Sequence, residues 1–186
     1  MLSFANRISQ IEPFRVVEVL ARARQLESEG RDIIHMEVGE PDFALVEPIR
    51  EAAKTALDQG RTLYSPATGI PELREAISNW YGENWNLDIP ARRIMVTPGA
   101  SGALLLISAL LIQPGRSMLM ADPGYPCNRN FLRFFGGKEQ LVPVGPEENF
   151  QITAQKAREH WRPSTVGVIA ASPSNPTGTL ISPDEM

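Results

Sequence analysis

The sequence is poor in the residue types that specialised chemistry most often uses. Its 186 residues include one cysteine, Cys127, and two histidines, His35 and His160. One cysteine excludes an intrachain disulfide, and a cytoplasmic compartment is the expectation. Two histidines this far apart, with no second cysteine, give no zinc-ligand spacing. His35 falls in an apolar stretch and reads as a core or interface residue, while His160 closes a helix. Cys127, alone on a helix, reads as inert packing. The G-x-S-x-G elbow of serine hydrolases is missing, and so is the G-K-[ST] of a P-loop. No long basic run occurs and the net charge is −4, so no nucleic acid partner is expected. The longest apolar stretch, "ALLLISALLI" at 103–112, is too short to span a bilayer. The opening "MLSFANRISQIEPF" has no apolar segment of signal-peptide length. Neither an internal repeat nor a low-complexity tract is visible.

What is present is ordinary in bulk and ordered in detail. Apolar residues make up 42% and charged residues 22%, the composition of a globular domain. The 16 prolines and 14 glycines fall at segment edges, as punctuation between elements. Residues 13–29 carry Val16, Val19, Leu20, Ala23 and Leu26 on one helical face, with Pro13 before and Gly30 after. "DIIHMEV" at 32–38 predicts a short strand, and residues 47–59 a second helix. Pro71 opens a third helix running to about Trp80. From Arg93 onward strands and helices alternate. "RIMVT" reads as a strand and "SGALLLISALLI" as a buried helix. "SMLMA" is a strand, "CNRNFLRFF" a helix, "GGKEQLVPV" a turn and strand, 153–161 a helix and 165–171 a strand. This alternation predicts an α/β fold with a mostly parallel sheet flanked by helices. The final "ISPDEM" carries helix-start signals. Ser182 can cap, Pro183 suits the first position, and Ser182 with Glu185 fits a capping box. A frayed tail is the plainer alternative. The capping signals favour a sequence that stops inside its domain.

Ligands of parallel α/β sheets collect at the carboxyl ends of strands. The loops there are "GEPDF", "PGAS", "DPGYP" and "SPSNPTGT". In "PGAS", free N–H groups at the start of a helix suit an anion, with Gly99 and Ala100 allowing close approach and Ser101 adding a hydroxyl. By itself this is also an ordinary strand-to-helix turn. Tyr125, between prolines, is placed to stack on a flat ligand or to fill a loop. Asn175 offers a donor and an acceptor held by Pro176, or simply ends a strand. Gly39 lets a backbone N–H meet a carboxylate, or ends a strand in a turn.

Taken in order, "VGEPDF", "YSPATGIPELREAI", "VTPGASGAL", "DPGYP" and "SPSNPTGT" resemble the class I/II aminotransferases, fold-type I enzymes that use pyridoxal 5′-phosphate (PLP). The resemblance runs from Pro13 to the last residue. It implies the large PLP-binding domain of that fold, incomplete at the C-terminus, with residues 1–45 as an N-terminal arm and small-domain segment and 46–186 as the first part of the large domain. It implies that Gly99, Ala100 and Ser101 cradle the cofactor phosphate, and that Tyr125 stacks on the pyridine ring. Asn175 would meet the ring's phenolic oxygen and contribute to substrate binding, and Gly39 would meet the substrate carboxylate. Tyr64 would reach the phosphate of a neighbouring subunit, so a homodimer is implied. The Asp122–Pro123 and Asn175–Pro176 bonds become candidates for cis geometry.

In the family's order the reactive lysine, the acid paired with the pyridine nitrogen and the carboxylate-clamping arginine all follow "NPTG". The three lysines here, Lys54, Lys138 and Lys156, all precede it. Lys156, in "TAQK", is read as a solvated helix residue. No catalytic residue is therefore assigned within 1–186, and the sequence is expected to be the N-terminal half of an aminotransferase acting on an amino acid and a 2-oxo acid. The scaffold motifs also fit a fold-type I lyase or synthase, or a non-catalytic truncated scaffold.

Overall fold

The computed structural model describes residues 3–186. In chain order its regular elements are α1 (Arg15–Ser28), α2 (Glu47–Asp58), α3 (Pro71–Trp85), α4 (Gly99–Leu111), β1 (Ser117–Asp122), α5 (Cys127–Phe134), β2 (Lys138–Pro143), α6 (Ala154–His160) and β3 (Thr165–Ile169). They fall into two compact units. One comprises the residues up to Val19 and Ser101–Met186, the other Leu20–Ala100.

The first unit is built on a parallel three-stranded sheet in the order β2-β1-β3. Alternate residues of β1 point to opposite faces, so the central strand feeds two separate cores. Met118 and Met120 pack with Ile112 and with Leu132 of α5. Leu119 packs with Val142 and Val144, covered by Phe150, Ile152 and Ala157 of α6. Helices thus lie on both faces, the layering that the alternating pattern requires. Leu119, Leu132 and Val142 are wholly buried. At the amino ends of the strands Gln140 Oε1 accepts from Ser117 Oγ at 3.1 Å and from Thr165 Oγ1 at 2.5 Å, so the buried hydroxyls there are satisfied.

The N-terminal arm is fastened to α5. The Glu12 N–H donates to Asn130 Oδ1 at 3.2 Å, and Asn130 Nδ2 returns a bond to the Glu12 carbonyl at 2.9 Å. Arg133 donates to the Gln10 carbonyl and pairs with both Glu12 and Glu139. Burial pushes the Glu139 carboxyl up, but the Arg133 guanidinium, the residue's own backbone N–H and the charge of Arg129 together outweigh it and lower its pKa.

The second unit has no strand among the described residues. Arg74 instead ties α3 to the segments before and after it. Its guanidinium donates to the Ala91 carbonyl at 2.6 and 3.1 Å, to the Ile94 carbonyl at 2.9 Å and to Thr68 Oγ1 at 3.1 Å. Beside it, Gly69 has φ +97°, and a Cβ there would come within 2.7 Å of Val96 Cγ2, so only glycine fits. The third helix runs five residues past Trp80 and ends at Asn86, which takes the left-handed conformation (φ 52°) and donates its N–H to the Gly82 carbonyl.

Several sequence expectations are corrected. "DIIHMEV" and "RIMVT" form no strand. A strand exists only by pairing, and no described segment pairs with either, so Ile34 and Met36 are 86% and 88% exposed. Helix α4 forms but is not buried: of its own residues only Ser108 is inside, and Leu110 is 83% exposed. His35 is neither in a strand nor in a core; its ring lies between Glu37 (2.6 Å) and Glu27 (2.9 Å). Glu185 does not complete a box with Ser182. Its carboxylate accepts from the Ala154 N–H at 2.6 Å and so caps the N-terminus of α6. Among the described residues no helix is long and apolar enough to cross a membrane, and no group of side chains could hold a metal ion.

Candidate functional site

The carboxyl ends of β1 and β3 open into a cleft lined by residues of both strands, of α5 and of the loop after β3. Tyr125 and Asn175 both line it, with Asn128, Arg129, Gln151 and Ser174. Tyr125 is half-buried and braced by Phe14, whose ring meets it edge-on at a centroid distance of 5.9 Å and 70°. The Cys127 thiol beside it, and then burial, push the Tyr125 hydroxyl's pKa up. Asn175 is exposed at the rim, midway along a loop that is itself tied down. The Ser174 N–H donates to the Thr179 carbonyl at 2.9 Å, the Gly178 N–H to the Ser174 carbonyl at 2.7 Å, and the Ile181 N–H to Ser172 Oγ at 3.0 Å. The Asp122–Pro123 and Asn175–Pro176 bonds are cis, as anticipated; Ser172–Pro173 is cis as well, which was not.

Gly99, Ala100 and Ser101 form the first turn of α4. Gly99 has φ +68°, a backbone that favours glycine, with open space where a Cβ would stand. Thr97 Oγ1 donates to the Gly99 carbonyl at 2.8 Å, which fixes the turn without occupying its N–H groups. Among the described residues no side chain accepts from the N–H of Gly99, Ala100 or Ser101. These donors, at the positive end of a thirteen-residue helix, suit an anion. Gly39 and Tyr64 lie in exposed loops of the other unit, Tyr64 with its side chain fully in solvent.

Sequence reasoning missed the other polar residues of the cleft, and two of them stand out. Asn128 has a buried Oδ1 with no partner, the one such side-chain atom among the described residues. Gln151 is 6% exposed and bonds to both limbs of the Asn175 loop. Neither belongs to a recognisable local motif. Lys156 is also not the solvated residue expected. Its ammonium pairs with Glu148 at 2.8 Å and donates to the Pro143 carbonyl at 2.8 Å. This pairing, with the Gly145 N–H, lowers the pKa of Glu148. None of the three lysines lines the cleft.

At the carboxyl ends of this parallel sheet an aromatic side chain and an amide line one cleft, the place where α/β proteins hold small ligands. The chain belongs to the aminotransferase class I and II family, whose model matches residues 31–186. It is 39% identical to a valine–pyruvate aminotransferase of Mycobacterium tuberculosis over 95% of its own length and 45% of that protein's. It is 34% identical to a probable aspartate/prephenate aminotransferase of Thermus aquaticus over 100% of this chain and 48% of that one. Among solved structures, an aminotransferase from M. tuberculosis superposes with a TM-score of 0.93 at 38% identity, covering 100% of this chain and 47% of that one. The aspartate aminotransferase of Thermus thermophilus with maleate gives 0.93 at 33% identity, covering 99% and 48%. The chain therefore spans about half the length of the curated relatives it matches. Enzymes of this family depend on PLP.

Proposed function

We propose that this chain is the cofactor-holding part of a PLP-dependent aminotransferase that moves an amino group between an amino acid and a 2-oxo acid. The observation that carries the reading is the convergence of Tyr125 and Asn175 on one cleft at the strand ends. The residues fit the group. The open N–H donors at Gly99, Ala100 and Ser101 match a phosphate, the neutral ring of Tyr125 matches a pyridine face, and the Asn175 amide matches a phenolic oxygen. The unpartnered Asn128 Oδ1 leaves room for one further donor from a ligand. When bound, PLP supplies an electron sink for the substrate's alpha carbon. The chain's own residues bind and orient it, and Tyr125 and Asn175 keep water from the ring face and edge.

Several finer assignments belong to the same proposal. Gly39 and Asn175 meet the substrate. The protein is a cytoplasmic homodimer, and the exposed Tyr64 reaches the partner subunit's phosphate site. Residues 1–45 and 46–186 divide between arm plus small-domain segment and large domain. Residues 1–186 supply no lysine to the cofactor, since Lys54 pairs with Glu51, Lys156 with Glu148, and Lys138 lies at the opposite, amino end of β2. The test is titration of the protein with PLP, followed by tryptophan fluorescence and cofactor absorbance. Saturable binding that weakens several-fold in Tyr125→Ala supports the reading. Equal binding by both proteins refutes it. Residues 1–186 alone are expected to turn over no amino donor, and products formed by the full-length enzyme from a panel of donors then separate transamination from lyase chemistry.

A further inference from the structure

The structure assigns to Gln151 the role of positioning residue for Asn175. The inference rests on the proposal that Asn175 faces the cofactor. Gln151 follows two consecutive residues in the left-handed conformation, Asn149 (φ 53°) and Phe150 (φ 54°). This reversal is closed by the Phe150 N–H donating to the Gly145 carbonyl at 2.8 Å, and it drops the Phe150 ring against the core of Leu119, Val142 and Val144. The next side chain, Gln151, is thereby fixed in the body of the sheet.

Its amide nitrogen carries two hydrogens, and both leave for the loop after β3. Nε2 donates to the Ala171 carbonyl at 3.1 Å and to the Thr179 carbonyl at 2.8 Å. Two carbonyl oxygens can only accept, so the orientation of the amide is determined by its partners. Ala171 stands four residues before Asn175 and Thr179 four after it. The backbone bonds between Ser174, Gly178 and Thr179 close the loop on itself, but they run within the loop. Gln151 fixes both of its limbs to the sheet's inner layer, so the site of Asn175 is set by a residue that need not touch the ligand. A donor pair is required at this place. Glutamate would offer only acceptors to two carbonyls, and an apolar side chain would strand both oxygens.

The test uses the protein with Gln151→Met, Asn175→Ala and the double substitution. Backbone amide exchange of Ser174 and Gly178, measured without cofactor, is expected to rise about tenfold in Gln151→Met while β1 amides keep their protection. PLP affinity is expected to fall about tenfold in Gln151→Met, but less than about twofold further when Asn175 is already alanine, because a positioning residue acts through its client. Unchanged exchange at Ser174 and Gly178 overturns the clamp whatever the cofactor does. Equal losses of affinity in both backgrounds overturn the role toward Asn175 and leave plain structural support. Wild-type affinity in Asn175→Ala refutes the cofactor reading of Asn175, and with it the positioning role, while the exchange result still decides the clamp. If Gln151→Met loses the sheet's protection altogether, Gln151→Glu, equal in length and planar, repeats the measurement. Global unfolding of both variants overturns a role confined to the loop.

Discussion

The unit containing Ser101–Met186 and the unit Leu20–Ala100 use the same kinds of residue to opposite effect. In the first, a sheet gives the apolar side chains of its central strand neighbours on both faces, and Leu119, Leu132 and Val142 lose all contact with water. In the second, Ala23 is the only buried apolar side chain among those described, and Phe43 and Leu63 stand about nine-tenths in solvent. Around α3 the second unit is organised by a guanidinium and the oxygens it bonds to. A core is nondirectional and grows with buried area, whereas a polar hub depends on a few directed bonds. One type of unit loses stability in proportion to lost volume, the other by losing a single residue.

The largest expected effect lies in the first unit. Leu132→Ala removes a fully buried side chain between α5 and β1 and is expected to cost about 3–5 kcal/mol, read as a shift in the denaturation midpoint. A cost below about 1 kcal/mol would mean that this core is looser than its packing, and the contrast would fail. Next comes Arg74→Met, which keeps the bulk and deletes the donors to Thr68, Ala91 and Ile94. It is expected to cost about 2–3 kcal/mol, with faster amide exchange at Val96 and none at β1. Spread of that change into β1–β3 would show that the two units are not energetically separate.

The smallest effect is a titration. The Glu37 carboxylate, then Glu27, raises the pKa of His35, and His35 lowers that of Glu37. The histidine's contribution is full below its ordinary pKa of about 6.5 and fades as pH rises through the raised value. The contribution of Glu37 is present above its ordinary value and fades as pH falls through the lowered one. The brace is therefore strongest at mildly acidic pH. NMR titration of His35 should give a midpoint above 6.5, and Glu37→Gln should bring it down. A midpoint unchanged by that substitution would detach His35 from the brace.

The same contrast explains what the sequence made legible. "SMLMA", "KEQLVP" and "TVGVI" became strands because the first pairs with each of the other two in the first unit. "DIIHMEV" and "RIMVT" look alike on paper, but an apolar pattern reports only that a partner would be welcome. Tyr125 and Asn175 were legible because each sits in a motif bounded by prolines. Gln151 and Asn128 were not: the former acts across 20 and 28 residues of sequence, and the latter is notable for a bond it does not make. Cap signals read locally also went astray at Glu185, which caps a helix start 31 residues away in sequence rather than the one its spacing suggested.

The two-faced central strand has one more consequence, for how substitutions combine. Met118 and Leu119 are chain neighbours yet belong to different cores, while Met118 and Leu132 are distant in sequence and share one. Genetic interactions in this chain will follow odd and even positions rather than proximity. Changes at adjacent residues of β1 will add independently, and compensation will come from the helix on the matching side.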